Sequence, residues 1–180
     1  MTPTKPLTVL FVCTANISRS PYAERRAAQL LADFPMISLS SAGIPGYPGR
    51  PMEDTMATVL HQRGGSGEGH VSRAVSWEMI ARVDVALTFT FAQHMAILDE
   101  WPDHAPKVLG LRQFTAITER LYKPGTGRLL IAQAAAAAAP DSMTGDVPDP
   151  YGRGMAVAVA CADAIDDELH RLVPILTGRS

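Results

Sequence analysis

From Leu7 to Val12 the chain reads Leu-Thr-Val-Leu-Phe-Val, a nearly continuous apolar and β-branched run. Such a run predicts a strand covered on both faces, as in a parallel sheet. The period then changes. Alanines and leucines recur at helical spacing over 21–33, with Pro21 suited to a first turn, and predict a helix. Residues 36–41 read as a second short strand, ended by the turn residues of AGIPGYPGRP. Residues 53–63 read as a helix stopped by Gly64-Gly65, and GGSGEGH as a flexible loop. Ser76 suits the cap of a helix over 77–82. A third strand follows at 83–88, a helix at 91–100 and a shorter fourth strand at 107–111. The last helix, about 154–176, keeps Val157, Ala160, Cys161, Ala164, Ile165, Leu169 and Leu172 near one face.

Strand and helix alternate throughout, which predicts an α/β fold: a central four-stranded, parallel, twisted sheet flanked by helices on both faces in three layers. The length of 180 residues suits one domain, 1–180. Ala134–Ala139 are six alanines in a row. Alanine favours helix but buries little apolar area. A surface helix over 128–139 is therefore expected, within an inserted excursion at about 120–145. With 47% hydrophobic and 19% charged residues the chain can bury a core. A net charge of −2 gives no footprint for nucleic acid or an anionic membrane. No apolar run approaches the roughly 20 residues of a membrane helix, and MTPTKPLTVLFVC makes a poor signal peptide. These features read as a cytoplasmic chain with neither nucleic acid nor membrane as partner. Two cysteines and five scattered histidines show no zinc spacing, so neither metal nor other cofactor is expected.

The chemistry concentrates where the first strand ends. Ligands of such sheets bind beyond the carboxyl ends of the strands, and Cys13-Thr-Ala-Asn-Ile-Ser-Arg19-Ser20 lies there. The residues from Thr14 through Ala15, Asn16, Ile17 and Ser18 can curl into a ring of backbone N–H groups, a nest for a tetrahedral oxyanion such as phosphate. Arg19 adds a planar fork of donors. The same positive field favours the thiolate of Cys13, and Ser20 can hydrogen-bond its sulfur. Against this stands a plain alternative: a buried structural cysteine with a solvated arginine. Asn16 suits a left-handed backbone within the loop. Cys161 reads as a core residue.

VLFVCTANISRSPYAE resembles the signature VLFVCxGNxCRSPxAE of the low-molecular-weight protein tyrosine phosphatases. Further landmarks are similar and in order: Ser40-Ser41-Ala42-Gly43 at the end of the second strand, His70 before the third, and Asp149-Pro150-Tyr151 near the end. The resemblance implies a mechanism. Cys13 attacks phosphorus and forms a cysteinyl-phosphate. Arg19 and the loop amides hold the equatorial oxygens. Asp149 protonates the leaving phenolate and then serves as base for the attacking water. Asn16, Ser20, Ser41 and His70 support the loop, and Tyr47 and Tyr151 wall a slot for a phosphotyrosine ring of a protein substrate. Asp146 is the competing carboxylate; the Asp-Pro-aromatic pattern favours Asp149.

Three departures stand out. Family members usually have glycine where Ala15 stands, and alanine tolerates a positive φ poorly. Many carry a second loop cysteine where Ser18 stands, so no thiol within this loop can trap Cys13 as a local disulfide under peroxide. The 120–145 stretch is longer than in compact members. Two other functions share the loop chemistry: an arsenate reductase using a small thiol, and a non-catalytic phosphoprotein-binding domain. A thioredoxin-coupled reductase relay needs two further cysteines, and only Cys161 remains. Oligomeric state is not addressed by any of these features.

Overall fold

Strand β1, Leu7–Cys13, is the centre of the sheet and explains its own sequence. In the computed structural model, which describes residues 5–139 and 145–178, its side chains alternate between two cores. Leu7, Val9, Phe11 and Cys13 enter one; Leu10 and Val12 enter the other. A strand walled on both sides has no polar face, hence the unbroken apolar run. The neighbours are β2 (Ile37–Gly43), β3 (Val85–Thr88) and β4 (Val108–Gly110), all parallel, in the order β2-β1-β3-β4.

The larger core receives helices α1 (Arg19–Leu30), α2 (Asp54–Gln62), α5 (Leu111–Arg120), α6 (Gly127–Ala137) and α7 (Met155–Thr177). The smaller core receives α3 (Trp77–Arg82) and α4 (Phe91–Glu100). This is the three-layer α/β arrangement that the pattern predicts. Ser76 caps α3 by accepting from the N–H of Met79, as its position suggested. At the α1–α2–α7 junction Tyr22 is fully buried and donates to Asp166, which also receives Arg26 and Arg63. Burial first, then the Asp166 charge, pushes the Tyr22 phenol far above its ordinary range.

Two expectations need correction. The sequence pattern names no element over 112–127, yet α5 occupies Leu111–Arg120. Its Thr115 and Thr118 are poor helix formers. Here both are buried and donate back to the carbonyls of Leu111 and Phe114, a turn earlier. Tertiary burial overrides propensity. The second correction concerns the alanine-rich helix. It is not confined to the surface: Leu130, Ile131 and Ala134 of α6 are buried, and Ile131 and Ala134 join the main core. Small side chains let α6 approach closely. The alanine run is described to its end at Ala139; Pro140 to Thr144, a short part of the expected 120–145 excursion, lie outside the described residues.

The two sides of α6 should respond differently to added volume. Ala134→Leu, at a position with no exposure, is expected to cost about 1–3 kcal/mol by overpacking. Ala137→Leu, exposed on the same helix, should stay within about 0.5 kcal/mol of wild type. Urea unfolding of both variants measures the difference.

Candidate active site

The residues from Cys13 to Arg19 form a loop between β1 and α1, and most of the carbonyls on its outer edge are engaged. The carbonyl of Cys13 accepts from Ile44, that of Thr14 from Gly46, that of Ile17 from Glu53 and that of Ser18 from Tyr22. The Asn16 carbonyl lies 2.7 Å from His70 Nε2, which must carry the proton on that nitrogen. A trans peptide points its C=O and N–H in opposite directions. Carbonyls held from outside therefore turn the N–H edge of the loop inward.

Asn16 is the residue with positive φ, at 59°, and Ala15 is not. The strain anticipated at Ala15 does not arise, because asparagine takes the left-handed position. The Asn16 side chain is fully buried, with both its donors and its acceptor oxygen engaged. Nδ2 donates to Ser20 Oγ and Ser41 Oγ, both at 2.9 Å, and Oδ1 accepts from the N–H of Arg73 at 3.0 Å. Ser41 in turn donates to Glu24. Ser20 Oγ, filled as an acceptor by Asn16, has its own hydrogen for the carbonyl of Ala42 at 3.2 Å or for Cys13 Sγ at 3.0 Å. Below the loop, a Cβ on Gly43 would stand 2.7 Å from the Thr14 carbonyl oxygen and 2.9 Å from Asn16 N. Only glycine admits so close an approach.

Arg19 is 3% exposed and anchors the opposite wall. Its Nη1 donates to the Val147 carbonyl at 3.0 Å, and its Nη2 pairs with Asp149 Oδ2 at 3.1 Å. Its Nε, like Ser18 Oγ, is buried with no partner among the described residues. Two orphaned donors on the wall of one cavity cost about 1–3 kcal/mol each unless a ligand takes them. That cavity, about 260 Å³, is lined by Cys13, Thr14, Ala15, Ile17, Ser18, Arg19, Tyr47, Arg50, Asp149 and Tyr151. Tyr47 and Tyr151 stand half-exposed at its mouth.

The structure thus brings the sequence-derived candidates together: Cys13, Arg19 and Asp149 around the cavity, Ser20, Ser41 and His70 behind the loop, Tyr47 and Tyr151 at the rim. Asp146 is kept apart; its carboxylate accepts the N–H of Phe91 at the start of α4. Four contributors escaped the sequence reading. Glu24 holds Ser41, Gln93 donates to Thr14 Oγ1 at 3.1 Å, Arg73 contacts Asn16 and Ser41, and Arg50 lines the mouth. Glu24 closes the signature stretch, which gives it no role until Ser41 is brought to it; the other three sit in no local pattern that marks them, and only the folded packing joins them to the loop. Cys161 is buried in the main core, and burial pushes its thiol up to about 12, a neutral side chain at ordinary pH. A larger groove of about 940 Å³ opens between α4 and α6. Phe91, Met95, Leu98 and the alanines of α6 give it a mainly apolar lining, and the arginine at its edge, Arg128, is paired with Asp84. Among the described residues no cluster of potential ligands could hold a metal ion, and no helix is long and apolar enough to cross a membrane.

Known proteins resemble this chain in sequence and fold. The sequence model of the family described as low molecular weight phosphotyrosine protein phosphatase matches residues 8–121. The Etp phosphatase of Escherichia coli K12 is 38% identical over 88 residues, 49% of this chain and 57% of that protein. The match thus spans little more than half that relative's length. A protein-arginine-phosphatase of Geobacillus stearothermophilus is 27% identical over 93% of this chain and 94% of its own. Among solved structures, a low molecular weight protein tyrosine phosphatase from T. tengcongensis superposes with a TM-score of 0.76 at 24% identity, covering 94% of this chain and 99% of that one. With the family model covering well over half of the sequence, the chain belongs to the low molecular weight phosphotyrosine protein phosphatase family.

Proposed function

We propose that the protein is a phosphatase that hydrolyses aryl phosphates, phosphotyrosine in proteins foremost, through a cysteinyl-phosphate on Cys13. The observation that carries the reading is one cavity wall. Cys13 Sγ sits 3.0 Å from Ser20 Oγ, and Arg19 bridges the nucleophile's loop to the Asp149 carboxylate.

The chemistry follows from the groups present. The inward N–H edge of residues 14–18, the Arg19 fork and Ser18 Oγ receive the phosphoryl oxygens where charge spreads in the transition state. Ser20 supports the Cys13 thiolate by turning its hydrogen to sulfur. The thiolate attacks phosphorus in line; the S–P bond forms as the bond to the phenolic oxygen breaks, and protonated Asp149 gives its proton to that oxygen. Water then attacks phosphorus, Asp149 takes its proton, and the S–P bond breaks to release phosphate and restore the thiolate. Phosphate oxygens and Asp149 call on the same Arg19 guanidinium, so an incoming anion frees the carboxylate to face the leaving group. The Tyr47 and Tyr151 rings suit an aromatic leaving group.

The arginine phosphatase among the relatives supports a second substrate, phosphoarginine. Less favours it within the cavity: the single lining carboxylate, Asp149, is engaged by Arg19, and Arg50 adds a second cation. An arsenate reductase of the same fold has no cysteine relay here, since Cys161 is buried and neutral. A domain that binds phosphate without turnover remains the reading from another class. Residues 120–145 are proposed to be an excursion of a single domain rather than a second unit.

Several outcomes test the proposal. Wild type should hydrolyse p-nitrophenyl phosphate, and Cys13→Ser should abolish turnover. Asp149→Ala should lower kcat by about 10²- to 10⁴-fold. Phosphate binding without any turnover in wild type would sink the proposal in favour of a binding domain. On matched peptides, phosphotyrosine should be the better substrate than phosphoarginine; the reverse order would assign the second reading. Asn16→Ala should lower both stability, by about 1–3 kcal/mol, and kcat. Asn16→Gly restores the backbone but not the amide, so its stability should lie nearer wild type while kcat stays low.

A further inference from the structure

We infer that Arg50 is a specificity residue that selects substrates in which acidic side chains flank the phosphorylated residue. The inference rests on the phosphatase reading above and names the class of substrate that the mouth of the cavity favours.

The cavity wall contains Arg50, whose side chain is exposed. Among the described residues its guanidinium makes no hydrogen bond or ion pair; the bonds of Arg50 are those of its backbone. That backbone is fixed. Its N–H donates to Ser72 Oγ at 2.9 Å and its carbonyl accepts from Ser72 N at 2.8 Å. Ser72, itself buried, also donates its hydroxyl to the Tyr47 carbonyl at 2.6 Å and accepts from Gly49 N at 2.9 Å. One serine thus straps the whole 47–50 turn, placing a ring and a cation side by side at the rim.

Among the described residues no carboxylate neutralises that cation. Glu53, three residues on, turns its side chain to its own helix, where it accepts the N–H of Met56. Asp149, the single acidic residue in the lining, pairs with Arg19. On the far side Arg153 reaches over the Asp149 carbonyl at 3.5 Å. The chain carries a net charge of −2, yet the cavity is lined by two arginines, Arg19 within and Arg50 at the rim, against one carboxylate that Arg19 already holds. Arg19 faces the phosphoryl oxygens. Arg50, farther out and unpaired, faces what surrounds them: in a phosphotyrosine peptide, the neighbouring side chains. A free guanidinium favours carboxylates there by charge and by its planar fork, and repels lysine or arginine.

The test uses the full chain and two phosphotyrosine peptides that differ only in their flanking residues, Asp/Glu against Lys/Arg. Each kcat/KM is divided by the same variant's value for p-nitrophenyl phosphate, so that general losses cancel. Wild type should prefer the acidic peptide by about fivefold, the range of a solvent-exposed ion pair. Arg50→Ala should erase the preference and Arg50→Glu should invert it. In 1 M NaCl, where the Debye length is about 3 Å, the wild-type preference should collapse. Equal use of the two peptides by wild type, or a preference that survives in Arg50→Ala, overturns the assignment while the phosphatase reading stands. Failure of wild type to hydrolyse p-nitrophenyl phosphate removes both.

Discussion

Asn16 holds a conformation that most side chains avoid, and it is held there by its own amide. A left-handed residue costs on the order of 1–2 kcal/mol outside glycine, but the turn it makes aims its Nδ2 at two serine hydroxyls and its Oδ1 at a backbone N–H. Those serines come from different elements: Ser20 from α1 and Ser41 from β2. The curl of the loop, the setting of Cys13 and the docking of α1 on the sheet therefore share one buried group. Gly43 completes the arrangement from beneath by offering no Cβ. Once the loop is curled, its carbonyls find partners outside and its amides face in. The capacity to bind an oxyanion is then a by-product of satisfying the backbone.

Much of this is legible in sequence, for a physical reason. β1 is buried on two faces and so reads as unbroken hydrophobicity; α7 is long and one-sided, so its period is clear. The Cys13-to-Arg19 spacing is local, because a loop that wraps one anion must be made of consecutive residues. Asp149 was legible through its Asp-Pro-Tyr neighbourhood. What escaped were the residues whose role depends on contacts far along the chain. Glu24, though it ends the signature stretch, and Gln93 have no evident role until Ser41 and Thr14 are brought to them. The α5 helix escaped because its threonines argue against helix locally, and only burial against α7 argues for it. The alanine-rich helix was misjudged for the converse reason: small residues add little hydrophobic signal, though they are what lets a helix lie close.

Electrostatics at the site is arranged by distance from the nucleophile rather than by overall charge. Within the cavity Arg19 is immobilised by the Val147 carbonyl and Asp149. Preorganised donors of this kind need no rearrangement as charge develops on the phosphoryl group. Cys161, in the same core, lacks any such donor and is suppressed by burial. Two thiols in one hydrophobic cluster thus differ in setting: one lines a polar cavity and the other does not.

The contact between Arg19 and Val147 joins residues 128 positions apart. Cys13 and its loop draw their supports from residues no later than Gln93, whereas Asp149, the acid of the proposed reaction, arrives just before α7, which packs back over α1. A growing chain therefore carries the binding half of the site long before the half that could release a leaving group. On the proposed reading, hydrolytic competence comes last in synthesis. An unfinished chain could hold an anion without turning it over.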